Sequence, residues 1–264
     1  MKLPKVAKEA FALELEAAKF MATRDENGVP NIAMISTLSP WEKDEEQLIF
    51  GNFLMWQTKE NLENGSPVSI SVMTLDFKSY EVRGKFLGFE TSGEKFDTMS
   101  KKDLFRYSAI GLLRSVGTIT IDEVYPIKLS MLGVGKEWFL AKIAGKRFID
   151  LEEGKYINPV VKKNVGVLQG SKFLAVSREN HMEQFPVLGM KPINDYLVIR
   201  SDLPLRKGDH VAVSAFNMEL KAFQIKGIFM GVRRSRGVKF GYIRVNSILT
   251  QTPPLVSREV PSDN

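Results

Sequence analysis

Lys19-Phe20-Met21-Ala22-Thr23-Arg24-Asp25-Glu26-Asn27 and Lys172-Phe173-Leu174-Ala175-Val176-Ser177-Arg178-Glu179-Asn180 align without a gap, and this pair of segments decides the fold. Each is an apolar, strand-like run that ends in polar turn residues. Two further matches keep the same order. Ile225-Lys226-Gly227-Ile228-Phe229-Met230-Gly231 aligns with Val82-Arg83-Gly84-Lys85-Phe86-Leu87-Gly88, and Gly241-Tyr242-Ile243-Arg244-Val245 with Gly117-Thr118-Ile119-Thr120-Ile121. Between the first and second matches the later half is about ten residues shorter. The ordered matches predict one small antiparallel β-barrel unit used twice, over residues 1–130 and 131–264. A short barrel leaves apolar surface and a sheet edge, which a second copy can cover.

Outward from these segments, the period changes along the chain. Val6, Ala10, Leu13 and Ala17, behind Pro4, predict an N-terminal amphipathic helix. Lys19 to Arg24, the Asn27-Gly28 turn and Pro30 to Ser36 predict a first hairpin. An acidic loop at Glu42 to Glu46 precedes a strand at Gln47 to Phe53 and a helical turn at Gln57 to Leu62. Strands are expected at Val68–Leu75, Tyr80–Thr91 and Gly117–Tyr125, with a helix over Ser92–Phe105 capped by Ser92. Leu129–Gly170 reads either as an extra strand and helix opening the second copy or as a cover. It combines Trp138, Phe139 and Phe148 with Lys136, Lys142, Lys146 and Arg147.

Composition narrows the chemistry. The 264 residues are 44% hydrophobic and 26% charged, which is the balance of a folded globular chain. There is no cysteine, so disulfides, iron–sulfur clusters and thiolate nucleophiles are excluded. His181 and His210 do not have the spacing of a metal site. Asp122 and Glu123 are adjacent in a strand and point to opposite faces, so no acid–base pair forms there. No apolar run approaches the roughly 18 residues that span a bilayer, and the N-terminus has no signal-like h-region. The expectation is a cytoplasmic protein without a membrane partner. The net charge of +6 suits an anionic ligand. The basic run Arg233–Lys239 lacks interleaved aromatics and reads as a solvated hairpin tip, which makes nucleic acid an unfavoured partner.

A wider set of motifs carries a resemblance. Phe20-Met21-Ala22-Thr23, Asp25, Gly28, Pro30-Asn31, Leu48-Ile49-Phe50-Gly51-Asn52, Thr58 with Asn61-Leu62, Pro67 to Val72 and Tyr80-Glu81-Val82-Arg83-Gly84 occur in this order. Together they resemble the FMN-binding split-barrel family, the pyridoxamine 5′-phosphate oxidase-like proteins, well over residues 10–128 and faintly over 165–250. The resemblance implies a mainly β fold of two tandem split barrels forming a pseudo-dimer, with FMN held between them. It implies a flavin phosphate at Gln57, Thr58 and Lys59, where the family's usual basic residue is replaced by Gln57 and Lys59 can substitute. It places Met34, Ile35, Ser36 and Thr37 at the flavin ring edge, with Gly51 and Asn52 nearby. Backbone amides and hydroxyls suit flavin carbonyls and ring nitrogens, while Met and Ile suit its apolar face. Met34 and Ile35 are equally readable as ordinary barrel residues, and Ser36-Thr37 as a strand cap.

The second copy departs further, since Ser201 to Asp209 stands where the first has Gly51 to Leu62, and Pro204 opposes a helix there. One site per chain is therefore expected. The expected function is a flavoprotein, either an oxidoreductase or an electron-transfer protein supplied by a small-molecule or protein donor. It would be a monomeric pseudo-dimer or a homodimer. The alternative is a non-redox module for another anionic ligand, such as haem, deazaflavin or pyridoxal phosphate. A nucleic-acid-binding barrel using Phe86, Phe89, Phe223 and Phe229 ranks last, because the strand alternation of these residues suits a core.

Overall fold

The computed structural model describes residues 1–14, 16–53, 55–102, 113–129, 131–147, 157–165, 170–217, 222–235, 237–251 and 258–260. In the N-terminal half, β1 (Ala17–Arg24), β2 (Pro30–Met34), β5 (Val68–Thr74), β6 (Ser79–Gly84) and β9 (Glu123–Ile127) form one sheet in the order β2-β1-β5-β6-β9. A second sheet, β3-β4-β8-β7, is built from β3 (Ser39–Trp41), β4 (Asp44–Asn52), β7 (Phe86–Glu90) and β8 (Ser115–Thr120). Met21, Ile70 and Val82 of the first sheet meet Leu48, Phe50 and Ile119 of the second in one core. Two sheets closing on a single apolar interior make this unit a split barrel.

The central strand β5 shows how sequence builds this unit. Every position of its Val-Ser-Ile-Ser-Val-Met-Thr run is buried. Val68, Ile70 and Val72 face the core, while Ser69 and Ser71 between them carry buried hydroxyls, of which Ser69 is partnered. The Ser69 hydroxyl donates to Glu81 Oε1 at 2.7 Å, and Gln184 Nε2 donates to the Ser69 carbonyl at 2.7 Å. Gln184 belongs here because the compact units are not simple halves. One unit comprises Met1–Asn27, Ala33–Lys128 and Arg178–Gln184, and the other Gly28–Ile32, Leu129–Ser177 and Phe185–Asn264. In the second unit Gln224 Nε2 donates to Asn31 Oδ1 at 3.0 Å, so each short transferred piece is held by a buried amide.

Two expected strands are each broken in two. Tyr80–Thr91 parts at Lys85 into β6 and β7, and Gly117–Tyr125 parts at Ile121 and Asp122 into β8 and β9. The break lies where the chain passes from one sheet to the other. A Cβ at Gly84 would lie 1.7 Å from the Thr120 carbonyl oxygen, so only glycine lets the two backbones close there. Thr120 N donates to Lys85 O and Asp122 N to Arg83 O, both at 2.9 Å, which ties the corner together.

The N-terminal helix is also displaced from its expected face. α1 spans Lys5–Ala12 and buries Ala7, Ala10 and Phe11, while Val6 is exposed. The backbone turns extended at Leu13, and Ala17 already belongs to β1, so the later positions of the expected stripe never join the helix. Phe11 supplies the larger apolar anchor. α2 covers Trp56–Glu63, and α3 covers Glu94–Ser100 with Gly93, not Ser92, at its N-cap. The expected Ser92–Phe105 helix thus ends at Ser100, Lys101 and Lys102 turn away from it, and Asp103–Phe105 lie outside the described residues.

The C-terminal half carries β10 (Gly170–Ser177), β11 (Met182–Pro186), β12 (Lys191–Ile193), β13 (Tyr196–Arg200), β14 (His210–Asn217), β15 (Ala222–Ser235) and β16 (Val238–Thr250). They form a single sheet in the order β11-β10-β14-β15-β16-β13-β12. Its pairing follows the scheme of the first half. Phe20 pairs with Ser71, and Phe173 with Ser214. The Phe86–Ile119 and Gly88–Thr118 pairs enclose a register slip, and so do Phe229–Ile243 and Gly231–Tyr242. A Cβ at Gly227 would lie 2.3 Å from the Arg244 carbonyl oxygen, as at Gly84. The segment before β10 holds two helices, α4 (Met131–Arg147) and α5 (Pro159–Val165), and no extra strand among the described residues. No helix of the described residues is long and apolar enough to cross a membrane.

Gly84→Ala is expected to lower unfolding stability by about 1–3 kcal/mol or more, because a backbone carbonyl cannot step aside as a side chain can. Gly135→Ala, on an exposed position of α4 with nothing within 4 Å of the added Cβ, is expected to raise stability by about 0.5–1 kcal/mol. Urea midpoints of the two variants check both signs.

Candidate functional site

The helix α2 separates its residues by face. Thr58, Asn61 and Leu62 are buried, with Leu62 in the barrel core and Asn61 Nδ2 donating to Thr23 Oγ1 at 2.9 Å. The opposite stripe, Trp56, Lys59 and Glu63 at helical spacing, faces a cleft of about 300 Å³. Its far wall is formed by Phe89 of β7 and by Arg114 and Ser115 at the start of β8. Asn52, the last residue of β4, closes it, donating from Nδ2 to Ser115 Oγ at 3.0 Å. Arg114 N donates to the Asn52 carbonyl at 3.0 Å, so the two strand ends are locked side by side.

Two cations in the cleft lie against aromatic faces. The Arg114 guanidinium is 4.6 Å from the Trp56 ring centroid and the Lys59 ammonium 5.7 Å from that of Phe89. Lys59 also pairs with Glu63 at 3.5 Å. That pair is solvent-exposed and contributes little, so Lys59 can turn to an incoming anion. The Trp56 side chain is 55% exposed, which leaves indole surface open to a planar ligand. The cleft thus offers positive charge, a ring face and a hydroxyl–amide pair in one place. Among the described residues, no group of His, Asp and Glu is arranged to hold a metal ion.

Of the residues singled out from sequence, Asn52 and Lys59 line this cleft. Gln57 turns along the helix instead, its Nε2 donating to Asn61 Oδ1 at 3.1 Å, and Thr58 is buried on the inner face. Ile35 packs in the barrel core, and Met34 ends β2 half-buried. Ser36 and Thr37 form the turn that follows. Thr37 and Gly51 are brought together: Gly51 N donates to Thr37 Oγ1 at 3.0 Å. Trp56, Arg114 and Ser115 carry no site role in the sequence reading, and Phe89 enters it only in the nucleic-acid alternative. The helical spacing of Trp56 with Lys59 was a usable signal. Arg114 carried none, because only the fold brings the start of β8 beside β4.

Behind the turn stands a buried lysine. Lys19 donates from Nζ to the Leu38 carbonyl at 2.7 Å, while Ile35 N donates to Lys19 O at 2.8 Å. Burial, aided by repulsion from Lys102, pulls the Lys19 ammonium down to about 7. Lys172, at the matching position of the other unit, is lowered to about 8 by the same desolvation.

No family model and no curated protein matches this chain. Among solved structures, HupZ of Group A Streptococcus is similar at 21% identity and a TM-score of 0.40, over 47% of this chain and 94% of that one. An FMN-binding protein from Syntrophomonas wolfei is 20% identical at a TM-score of 0.38, over 47% of this chain and 82% of its own. A putative pyridoxamine 5′-phosphate oxidase from Lactobacillus delbrueckii is 17% identical at 0.38, over 47% and 93%. With TM-scores below 0.5, these likenesses carry no part of the functional reading.

The buried lysines make stability depend on pH in a definite sense. Native Lys19 loses its proton near pH 7, whereas an unfolded lysine holds it to about 10.5. Between those values the unfolded chain binds more protons, so stability rises with pH. Lys172 contributes in the same direction from about pH 8. Lys19→Met is expected to remove roughly half of this rise, read as urea midpoints between about pH 7 and 10.

Proposed function

We propose that the cleft beside α2 receives the phosphate-bearing end of FMN and that the protein is an oxidoreductase or electron-transfer flavoprotein. The observation that carries this reading is the Arg114 guanidinium stacked at 4.6 Å on an exposed Trp56, with Lys59 across the same cleft. Phosphate wants two or more cationic donors, and Arg in particular offers paired N–H groups to its oxygens. The donor set therefore fits the group. It also accounts for Gln57, because Arg114 and Lys59 bring the positive charge from other positions. Trp56 offers a face for stacking, and the Asn52 amide and Ser115 hydroxyl fix orientation by hydrogen bonding. When bound, a flavin supplies hydride or single-electron acceptance, so no catalytic side chain is required of the protein.

Stoichiometry is proposed as one per chain. The stretch Ser201–Asp209 of the second half is turn and coil where the first half has α2. The matched registers of the two halves support an internal repeat in which only one copy keeps a site. The electron donor is proposed to be a small molecule or a protein, and the compartment the cytoplasm. A second reading rests on size. A volume of about 300 Å³ is at the small end of ligand pockets, which favours a compact aromatic phosphate such as pyridoxal phosphate bound without redox chemistry.

Titration of the purified protein with FMN, followed by its visible absorbance, tests the proposal. One FMN per chain is expected, with Arg114→Ala and Lys59→Ala each weakening binding about tenfold or more. Binding untouched by either substitution would place the flavin elsewhere. Failure to bind FMN, with pyridoxal phosphate bound and sensitive to the same substitutions, would establish the second reading instead.

A further inference from the structure

Among the described residues, helix α4 has apolar residues on two sides but a sheet on only one. Glu137, Ala141 and Ala144 are buried, and Leu140 and Ile143 pack against Val198 and Phe240. The opposite side presents Leu132 at 89% exposure, Met131 at 71%, Phe139 at 59% and Trp138 at 41%. At 100° per residue these four fall on one stripe, together with the exposed Gly135 and Lys142. A soluble helix ordinarily places polar residues there. Four large apolar side chains on one outward stripe form a surface that water solvates poorly.

The charge around the stripe selects what covers it. Lys136 and Lys142 are exposed, and the Lys142 ammonium lies 5.5 Å from the Trp138 ring centroid. The one acidic residue of the helix, Glu137, is turned inward and ion-paired with Arg200 at 3.4 Å. An outward face of Leu, Met, Phe and Trp with Lys142 among them and Lys136 at its edge has the composition of a helix that lies in the boundary of a bilayer. A second copy of the chain suits it less, because a two-fold contact sets the lysines of this face against their own images. The 17 described residues of α4 are long enough to lie along a bilayer surface.

We propose that the outward face of α4 docks the protein on anionic phospholipid surfaces, with Leu132, Trp138 and Phe139 entering the headgroup boundary and Lys136 and Lys142 meeting lipid phosphates. The absence of a long apolar run bears on a helix that crosses a bilayer and leaves lying on one open.

Co-sedimentation of the full chain with phosphatidylcholine vesicles, with and without phosphatidylserine, tests this. Binding is expected to the phosphatidylserine-containing vesicles, to weaken with salt, and to shift tryptophan emission to the blue, a shift lost in Trp138→Phe. Leu132→Glu with Phe139→Glu is expected to reduce binding at least about tenfold while leaving the melting temperature unchanged, since neither side chain packs in the fold. No sedimentation of the native chain with anionic vesicles would overturn the proposal. So would vesicle binding indifferent to the double substitution, or a concentration-dependent dimer that the same substitution dissolves.

Discussion

The contact between Gly84 and the Thr120 carbonyl is the constraint on which the N-terminal unit depends. Where two backbones approach this closely, a hairpin can leave one sheet and enter the next without losing its hydrogen bonds. β6 and β9 stay in the first sheet, β7 and β8 pass into the second, and one core fits between them. That passage also delivers Phe89 and Ser115 to the end of the barrel where β4 finishes. The cleft is thus a product of the corner: α2 supplies one wall, and the strands that turned at Gly84 supply the other.

Much of this architecture was readable because strand sequences announce themselves. The Val68–Thr74 run, the Asn27-Gly28 turn and the matched segments beginning at Lys19 and Lys172 all speak through local alternation and turn chemistry. What local pattern cannot announce is a change of sheet. Tyr80–Thr91 looks like one strand because Tyr80, Val82 and Phe86 alternate with the charged Glu81, Arg83 and Lys85 across the break, and only the fold shows Lys85 as the point where partners change. The N-terminal helix went astray for the opposite reason. Its apolar spacing continued past Leu13 in sequence while the backbone had already turned extended.

The site was half legible for similar reasons. Asn52 and Lys59 stand in motifs whose order suggested them, and both reach the cleft. Thr58 shared that motif, but a helix rotates each residue by about 100° from its neighbour, so Thr58 faces the barrel while Lys59 faces out. Arg114 lies some fifty residues from α2 and comes beside Trp56 only through the pairing of β4 with β8. Stacking partners so far apart leave no mark in a single sequence.

The matched registers of the two halves lie on one polypeptide, and this changes how substitutions act. In an assembly of identical chains, any change at a ligand site is made in every copy at once and must suit all of them. Here the helix at Trp56–Glu63 and the turn at Ser201–Asp209 occupy matching stations yet answer to separate codons. One station can keep its ligand chemistry under selection while the other drifts toward a purely architectural role. The tandem chain has an asymmetry that a symmetric pair could acquire only by first joining its subunits.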